Sequence, residues 1–223
     1  MSICVVTGAN RGIGLELVRQ LTARGERVAA VCRNASPELE STGASIVDGI
    51  DVADPVDIAR LKESLAGESV RLLINNAGVL SSQRLGEIDA DAITAMEYQY
   101  RVNSLGPLLV TQALRELMGP GSRIGIVTSR MGSIADNTSG GSYGYRMSKA
   151  AVNAAGVSLA RDLEDSGIAV VLLHPGYVRT DMTGGSGQVE PAEAAAGLLA
   201  RLDELDLAAT GTFRHASGES LPW

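Results

Sequence analysis

The sequence predicts an α/β fold in which a doubly wound parallel sheet of about seven strands carries helices on both faces. Short apolar runs such as residues 3–7 (ICVVT) and 70–75 (VRLLIN) alternate with segments of helical apolar spacing. These runs are nearly continuous, which is typical of parallel strands that are buried on both faces. We expect one domain over residues 1–223, because no linker, repeat or low-complexity segment divides the chain.

The elements follow from local composition, taken in chain order. The predicted strands cover residues 3–7, 27–32, 45–52, 70–75, 123–129, 168–176 and 210–215. The predicted helices cover residues 14–24, 55–65, 91–118, 145–165 and 191–202. Gly25 is placed to stop the first helix, and Pro175–Gly176 ends the sixth strand sharply. Repeated strand–helix units of this kind predict right-handed crossovers.

Charge and composition exclude several classes of partner. The net charge is −7 and no basic run occurs, so we expect no nucleic-acid partner. Cys4 and Cys32 fall in predicted strands, which indicates buried, reduced thiols and a reducing compartment. His174 and His215 are far apart and have no metal-ligand spacing, so no metal site is expected. The start of the sequence lacks signal-peptide features and no spanning apolar stretch occurs, which predicts a cytoplasmic protein without membrane segments.

A glycine-rich turn, TGANRGIG at residues 7–14, joins the first strand to the first helix. Its glycines at positions 8, 12 and 14 follow the spacing Gly-x3-Gly-x-Gly, which differs from GxGxxG. Glycines permit a tight turn and a close approach of the backbone to a pyrophosphate, while the helix N-terminus offers free N–H groups. The alternative is an ordinary strand-to-helix turn, but the position after the first strand favours dinucleotide binding.

Two arginines indicate which dinucleotide is bound. NAD sites usually carry an acidic residue at the end of the second strand, where this chain has Arg33 in VCRNAS. Arg11 lies inside the glycine turn, and two guanidiniums can bind a 2′-phosphate. NADP is therefore favoured over NAD. Arginines make up 17 of the 19 basic residues, however, so arginine is also the default at any basic surface position.

Tyr145 and Lys149, in YRMSK, stand four residues apart on a predicted helix and therefore share a face. A nearby ammonium favours the phenolate and lowers the pKa of a tyrosine from its ordinary value of about 10. The chain has only two lysines, which makes this one informative. The alternative is an accidental pair on a solvated helix face.

Four motifs occur together and in order: TGANRGIG, NNAG (75–78), YRMSK (145–149) and HPG (174–176). In this combination the chain resembles the short-chain dehydrogenase/reductase family, whose fold is Rossmann-type. The segments TSRMGS (128–133) and GGSYGYRMSKAAVN (140–153), with SLPW at the end, look most like the C-factor and sniffer-type carbonyl reductase branch.

The resemblance implies a hydride transfer between a nicotinamide and a carbonyl or alcohol. Tyr145 would be the general acid/base, and Lys149 would lower its pKa and bind the nicotinamide ribose. Ser129 would hydrogen-bond the substrate oxygen, with Ser133 as the alternative because 16 residues separate Ser129 from Tyr145, about three more than the family commonly has. Asn103 would organise a proton-relay water.

The resemblance also implies the residues that contact NADP (NADPH). These are Gly8, Asn10, Arg11, Gly12, Ile13, Gly14, Arg33, Asp51, Val52, Asn75, Ala77, Gly78, Tyr145, Lys149, Pro175, Gly176, Val178 and Thr180. His174 is expected to be structural. The lid segment, residues 180–190, is short and glycine-rich, so we expect it to be mobile and to suit a small or flexible substrate or an open cleft.

The expected partners are a small carbonyl or alcohol substrate and further copies of the chain. The helix after Lys149 is rich in alanine, and in the family this helix and the one that contains Asn103 pair across a dimer interface. A homodimer or homotetramer is therefore implied. A regulatory or signalling protein that binds NADP is the alternative function. An enzyme is favoured because Asn103, Ser129, Tyr145 and Lys149 are all present.

Overall fold

The computed structural model describes residues 2–223 and contains one sheet of seven parallel strands, which confirms the predicted fold class. The strands are β1 Ser2–Thr7, β2 Val28–Val31, β3 Ser45–Val47, β4 Ser69–Asn75, β5 Arg123–Val127, β6 Ala169–His174 and β7 Thr212–His215. Their order across the sheet is β3-β2-β1-β4-β5-β6-β7. The order reverses between β1 and β4, and the crevice at the carboxyl ends of the strands beside such a reversal is where open α/β sheets bind ligands.

Helices cover both faces of the sheet. They are α1 Gly12–Ala23, α2 Pro37–Glu40, α3 Pro55–Ser64, α4 Ala90–Tyr100, α5 Gly106–Leu114, α6 Tyr143–Asp162 and α7 Pro191–Asp203. Side chains of α3, α5 and α6 pack with Ile3 and Val5 of the central strand in one core cluster. Side chains of α1 and α7 pack with Cys4 and Val6 in the other. Successive side chains of β1 therefore point to opposite faces of the sheet and pack in two separate core clusters.

The predicted helix at 91–118 is interrupted by a π-helical turn, Arg101–Leu105, between α4 and α5. Pro107 follows this turn and has no N–H to donate to the carbonyl four residues back. The N–H of Gly106 instead bonds the carbonyl of Arg101, five residues back. This wider turn contains Asn103, and single π turns are often found at functional sites.

Other boundaries differ from the sequence predictions by a few residues. The strand predicted at 45–52 is only three residues long, and the fifth and sixth strands end two residues early. The short helix α2 was not predicted; the side chain of Ser36 caps it by accepting from the N–H of Leu39. The shorter strands leave loops at the carboxyl edge of the sheet, and these loops build the site.

The sequence also carries expectations about the cysteines, membrane-spanning helices and metal-ligand clusters. Cys4 and Cys32 are buried and unpaired, and burial raises the pKa of each thiol to about 11. Within residues 2–223, no helix combines the length and apolar character that crossing a membrane requires. In the same part of the chain, no group of three or more His, Cys, Asp or Glu side chains is arranged to hold a metal ion.

Candidate active site

A cavity of about 520 Å³ lies at the carboxyl edge of the sheet, beyond the ends of the neighbouring strands β1 and β4. Most of the residues predicted to contact a cofactor line it. These are Gly8, Asn10, Arg11, Gly12, Ile13, Gly14, Arg33, Asp51, Val52, Ala77, Gly78, Tyr145, Lys149, Pro175 and Thr180. The structure thus brings the glycine turn, the NNAG segment and the Tyr145–Lys149 pair to one crevice.

The glycine turn is fastened to the end of β4. The hydroxyl of Thr7 accepts from the backbone N–H groups of Asn76 and Ala77 at 3.0 and 3.1 Å. The amide of Asn76 in turn donates to the carbonyl oxygens of Thr7 and Gly8. A Cβ on Gly14 would overlap the Gly8 carbonyl oxygen, so this glycine is required by packing within the turn. The turn is a rigid wall of the cavity.

The N-terminus of α1 opens into the cavity. Helix α1 begins at Gly12, and no side chain caps its first turn. Gly12, Ile13 and Gly14, which form that turn, all line the cavity. Uncapped N–H groups at a helix N-terminus attract anions, so this wall fits the pyrophosphate of a dinucleotide.

The two arginines predicted to bind a 2′-phosphate both lie on the cavity wall. Arg33 Nη1 donates to the Tyr98 hydroxyl at 2.9 Å. Arg11 Nη1 pairs at 3.0 Å with Asp181 of the lid segment, and both of these side chains are largely exposed. A guanidinium has five N–H donors, so each arginine keeps donors for an anion in the cavity.

Tyr145 and Lys149 lie in the first two turns of α6 and are both buried. The ammonium nitrogen of Lys149 is 5.8 Å from the centre of the Tyr145 ring, so the two side chains share a face as predicted. Lys149 Nζ donates to the carbonyl oxygen of Val127, at the end of β5, at 2.9 Å. The side chain of Ser129 acts on the phenol of Tyr145 and lowers its pKa.

The pKa values of this pair differ from the expectation drawn from the sequence. Burial raises the pKa of Tyr145 to about 12, and the side chain of Ser129 opposes this rise. Burial lowers the pKa of Lys149 to about 8. The predicted lowering of the tyrosine pKa by Lys149 is therefore wrong for this structure, because burial of the phenol is the largest cause of the shift and Lys149 is not among its causes.

The two candidate serines have different surroundings. Ser129 caps the turn Arg130–Gly132, its oxygen accepting from the N–H of Met131, and it also reaches Tyr145. Ser133 is buried, and its oxygen accepts from the N–H of Asp136. Ser129, and not Ser133, is thus the serine that influences the pKa of Tyr145.

Asn103 lies just behind the cavity wall. Its Oδ1 accepts from the N–H of Val79 at 2.8 Å, and its Nδ2 donates to the Val79 carbonyl and to Ser148. A Cβ on Gly78 would lie 3.3 Å from Asn103 Oδ1 and 3.7 Å from Lys149 Nζ. Both polar groups therefore flank this glycine, and an added Cβ would be in close contact with them.

Three residues predicted to contact the cofactor do not line the cavity: Asn75, Gly176 and Val178. Asn75 ends β4 with its amide turned toward α5, where it donates to Thr111 at 3.2 Å. Its neighbour Asn76 lines the cavity instead. Val178 is buried because its backbone bridges to Val189. The side chain of Asn75 therefore faces α5 and that of Asn76 faces the cavity, since side chains at a strand end alternate between faces.

The cavity also has walls that the sequence reasoning missed. These include Cys32, Asn34, Ile50, Asn76, Val79, Tyr98, Val102, Val127, Thr128, Arg179, Asp181 and Met182. Many follow directly after a strand, which is a position that the strand predictions already marked. Tyr98 and Val102 come from the α4 side and had no such signal.

The lid segment is closed at its base and open at its tip. The N–H of Arg179 donates to the Val189 carbonyl, and the N–H of Gln188 donates to the Tyr177 carbonyl. A short turn, Asp181–Thr183, faces the cavity through Asp181 and Met182.

The short chain dehydrogenase family model matches residues 2–190. The matched part runs from β1 through the lid segment. The chain belongs to the short-chain dehydrogenase/reductase family. The predicted family is therefore confirmed, and with it the oxidoreductase class that the four motifs indicated.

Several individual proteins of this family are similar to the chain over most of its length. The chain is 41% identical to 1-hydroxy-2-glutathionyl-2-methyl-3-butene dehydrogenase of Rhodococcus sp. (strain AD45), with 100% of both chains covered. It is 44% identical to the C-signal of Myxococcus xanthus, over 69% of this chain and 93% of that protein. An NADPH-bound carbonyl reductase from chicken fatty liver superposes with a TM-score of 0.88 at 31% identity, covering 100% of this chain and 98% of the other.

Proposed function

We propose that this protein is an NADPH-dependent oxidoreductase that interconverts a carbonyl compound and an alcohol. The observation that carries the proposal is the placement of Tyr145 and Lys149 at the same cavity as the glycine turn and the uncapped start of α1. A bound nicotinamide dinucleotide supplies or accepts the hydride in such a reaction. The name of the NADPH-bound relative adds support for NADPH.

In this proposal Tyr145 exchanges the proton of the substrate oxygen. Its high pKa keeps the hydroxyl protonated at neutral pH, so Tyr145 is ready to donate during reduction. Ser129 holds the substrate oxygen beside the tyrosine and helps to stabilise charge that develops there. Lys149 contributes a charge below a pH of about 8 and would hold the ribose of a bound cofactor. Asn103 holds Val79 and, with Lys149, flanks Gly78 as part of a path for protons.

The substrate is proposed to be a small molecule with an accessible carbonyl or alcohol. The lid segment is short, and a Cβ added at Gly184 or Gly185, at its tip, would meet no atom within 4 Å. A long or branched substrate can therefore extend past it toward solvent. The Rhodococcus relative carries in its name an alcohol with a bulky glutathionyl substituent, which is compatible with such an open side.

The proposed role of Tyr145 is tested by Tyr145→Phe. We expect NADPH oxidation with a panel of aldehydes and ketones to fall by at least about a thousandfold, because the ring remains but the transferable proton is lost. NADPH affinity, measured by nicotinamide fluorescence, should change by less than about threefold. Turnover by the variant at the parental rate would contradict the mechanism.

Cofactor preference is tested by Arg11→Gln and Arg33→Gln. Hydrogen bonds to charged groups contribute about 1.5–3 kcal/mol, so each change should weaken NADPH binding about tenfold or more and leave NADH binding nearly unchanged. Arg84→Gln, at an exposed position that does not line the cavity, is the control. Equal losses for NADPH and NADH would count against NADP as the preferred cofactor.

A second candidate is an NADP-binding signalling protein, and the 44% identity to the C-signal favours considering it. The two functions differ in turnover. A protein that binds NADPH with high affinity but reduces nothing on a broad carbonyl panel, and whose Tyr145→Phe variant behaves like the parent, would favour the signalling function.

A further inference from the structure

Helix α6, which carries Tyr145 and Lys149, begins without a cap of its own. Its N-cap residue, Ser142, has φ 47° and ψ 45° and makes no capping bond through its side chain. Among residues 2–223, Ser142 is the one non-glycine residue with positive φ. A strained start with unsatisfied N–H groups needs partners from elsewhere in the fold.

Gln83, in the loop that follows β4, supplies those partners. Its backbone carbonyl accepts from the N–H of Ser142 at 2.9 Å, and its side-chain Oε1 accepts from the N–H of Gly144 at 3.0 Å. Gln83 is itself buried, with 5% of its surface exposed. The helix is therefore capped, directly before Tyr145, by a residue about sixty positions away in the sequence.

A second buried glutamine holds this cap in place. Gln83 Nε2 donates to the carbonyl and hydroxyl oxygens of Ser81 at 3.1 and 2.8 Å. Gln99 of α4, which is 1% exposed, accepts from the N–H of Ser81 and donates to its hydroxyl, each at 2.9 Å. Every side-chain nitrogen and oxygen of the two glutamines has a partner, so the network fixes one geometry.

Helix α4 and the π-helical turn that follows it hold the loop after β4 at two points. Gln99 holds Ser81, and Asn103 holds both backbone groups of Val79. At the far end, Gly144 is packed so closely that a Cβ would lie 2.6 Å from both Gln99 Nε2 and Met96 Cγ. The start of α6 is thus locked in position against α4.

We propose that Gln83 and Gln99 are positioning residues for the chemistry at Tyr145, an inference that rests on the proposed function. They act through the backbone at Gly144, one residue before the tyrosine, and set the position of its hydroxyl relative to Ser129. Neither side chain lines the cavity, so we expect a larger effect on turnover than on cofactor binding.

The test compares Gln83→Met, Gln83→Glu and the control Gln20→Met. Methionine fills a similar volume but offers no acceptor to Gly144. Glutamate keeps an acceptor at a helix N-terminus, where negative charge is favoured, but loses the two donations to Ser81. Gln20 lies on α1 and donates to the Ala192 carbonyl, so the control also removes one side-chain hydrogen bond, away from α6.

We expect Gln83→Met to lower kcat at least about tenfold while NADPH affinity changes less than about twofold. Hydrogen–deuterium exchange in a peptide that spans Tyr143–Met147 should be faster in this variant. Gln83→Glu should recover part of kcat and of the protection from exchange, because it keeps the acceptor for Gly144 and loses only the donations to Ser81, and Gln20→Met should match the parent in both. If Gln83→Met does not fold, Gln83→Asn replaces it, since its amide is one methylene too short to reach Gly144.

Parental kcat and parental exchange in Gln83→Met would overturn the inference, as would a Gln83→Glu variant no better than Gln83→Met. Equal losses of kcat and NADPH affinity would also overturn it, because they indicate a general structural defect. The exchange measurement is independent of turnover. If the parent reduces no carbonyl compound, the proposed function fails. Unchanged exchange at α6 in Gln83→Met separately shows that Gln83 does not hold the start of this helix.

Discussion

Lys149 places an ammonium in a buried site where the backbone carbonyl of Val127 is its hydrogen-bond acceptor. Burial lowers its pKa from 10.5 to about 8, so the charged form is disfavoured in the folded protein. A difference of this size corresponds to about 3 kcal/mol of destabilisation at neutral pH. Such a residue lowers the stability of the site that it serves.

We therefore expect Lys149→Met to stabilise the fold at pH 7 while it abolishes turnover. The buried charge is removed, and the unpaired Val127 carbonyl offsets about 1 kcal/mol of the gain, which leaves about 2 kcal/mol. Urea unfolding at several pH values is the measurement. The unfolded chain binds the extra proton between about pH 8 and 10.5, so parental stability should rise with pH across that window and the advantage of the variant should shrink.

Tyr145 makes the stability of the fold fall as the pH rises, which is opposite to the effect of Lys149 and occurs at higher pH. Its folded pKa of about 12 lies above the ordinary value of 10, so the folded protein retains the proton between these values. Stability from this group should be lost above about pH 10. A variant Lys149→Met that is less stable than the parent at pH 7 would contradict this account of the site.

At the scale of elements, the glycines at the two ends of α1 are constrained for different reasons. Gly14 is enclosed by the turn, whereas Gly25, at the end of α1, has a φ of +80° and enough open space that an added Cβ would meet no atom within 4 Å. Packing therefore constrains the first glycine, and backbone conformation constrains the second.

These two glycines make a matched pair for substitution. Gly14→Ala should cost at least about 2 kcal/mol, because its Cβ meets backbone that cannot move freely, and it should also weaken NADPH binding. Gly25→Ala should cost about 1 kcal/mol, the strain of a left-handed alanine, and leave NADPH binding unchanged. Urea denaturation and fluorescence titration measure both effects, and similar behaviour of the two variants would exclude packing as the cause.

The sequence predicts elements better than it predicts the directions of their side chains. Apolar runs identify every strand of the sheet, because parallel strands buried on both faces are predominantly apolar. The motif NNAG, in contrast, does not reveal that Asn75 turns to Thr111 while Asn76 faces the cavity. The Gln83 cap is also invisible in the sequence, since Gln83 lies so far along the chain from the helix that it caps.

At the scale of the whole molecule, α6 has one buried and one exposed face. Tyr145, Lys149 and Val152 point inward, while Met147 is 53% exposed and Ala154 is also exposed. A surface of small and apolar side chains on a helix permits close packing with another copy of the same helix.

We expect the double variant Met147→Asp, Ala154→Asp to dissociate the proposed homodimer or homotetramer. Carboxylates facing each other across a two-fold axis repel and lose hydration. Sedimentation equilibrium should show a parent of at least twice the mass of the variant, with far-UV circular dichroism unchanged. A parent that already sediments as a monomer would refute self-association through this face.

The base of the lid segment has a consequence for how enzymes of this architecture diversify. Because backbone bonds join Tyr177 and Arg179 to Gln188 and Val189, the intervening residues form a closed loop whose ends are held by the body of the protein. Doubling the length of such a loop costs only about 0.6 kcal/mol of chain entropy. New residues can be inserted at the glycine tip to reshape what the catalytic centre accepts, while the sheet and its chemistry stay as they are.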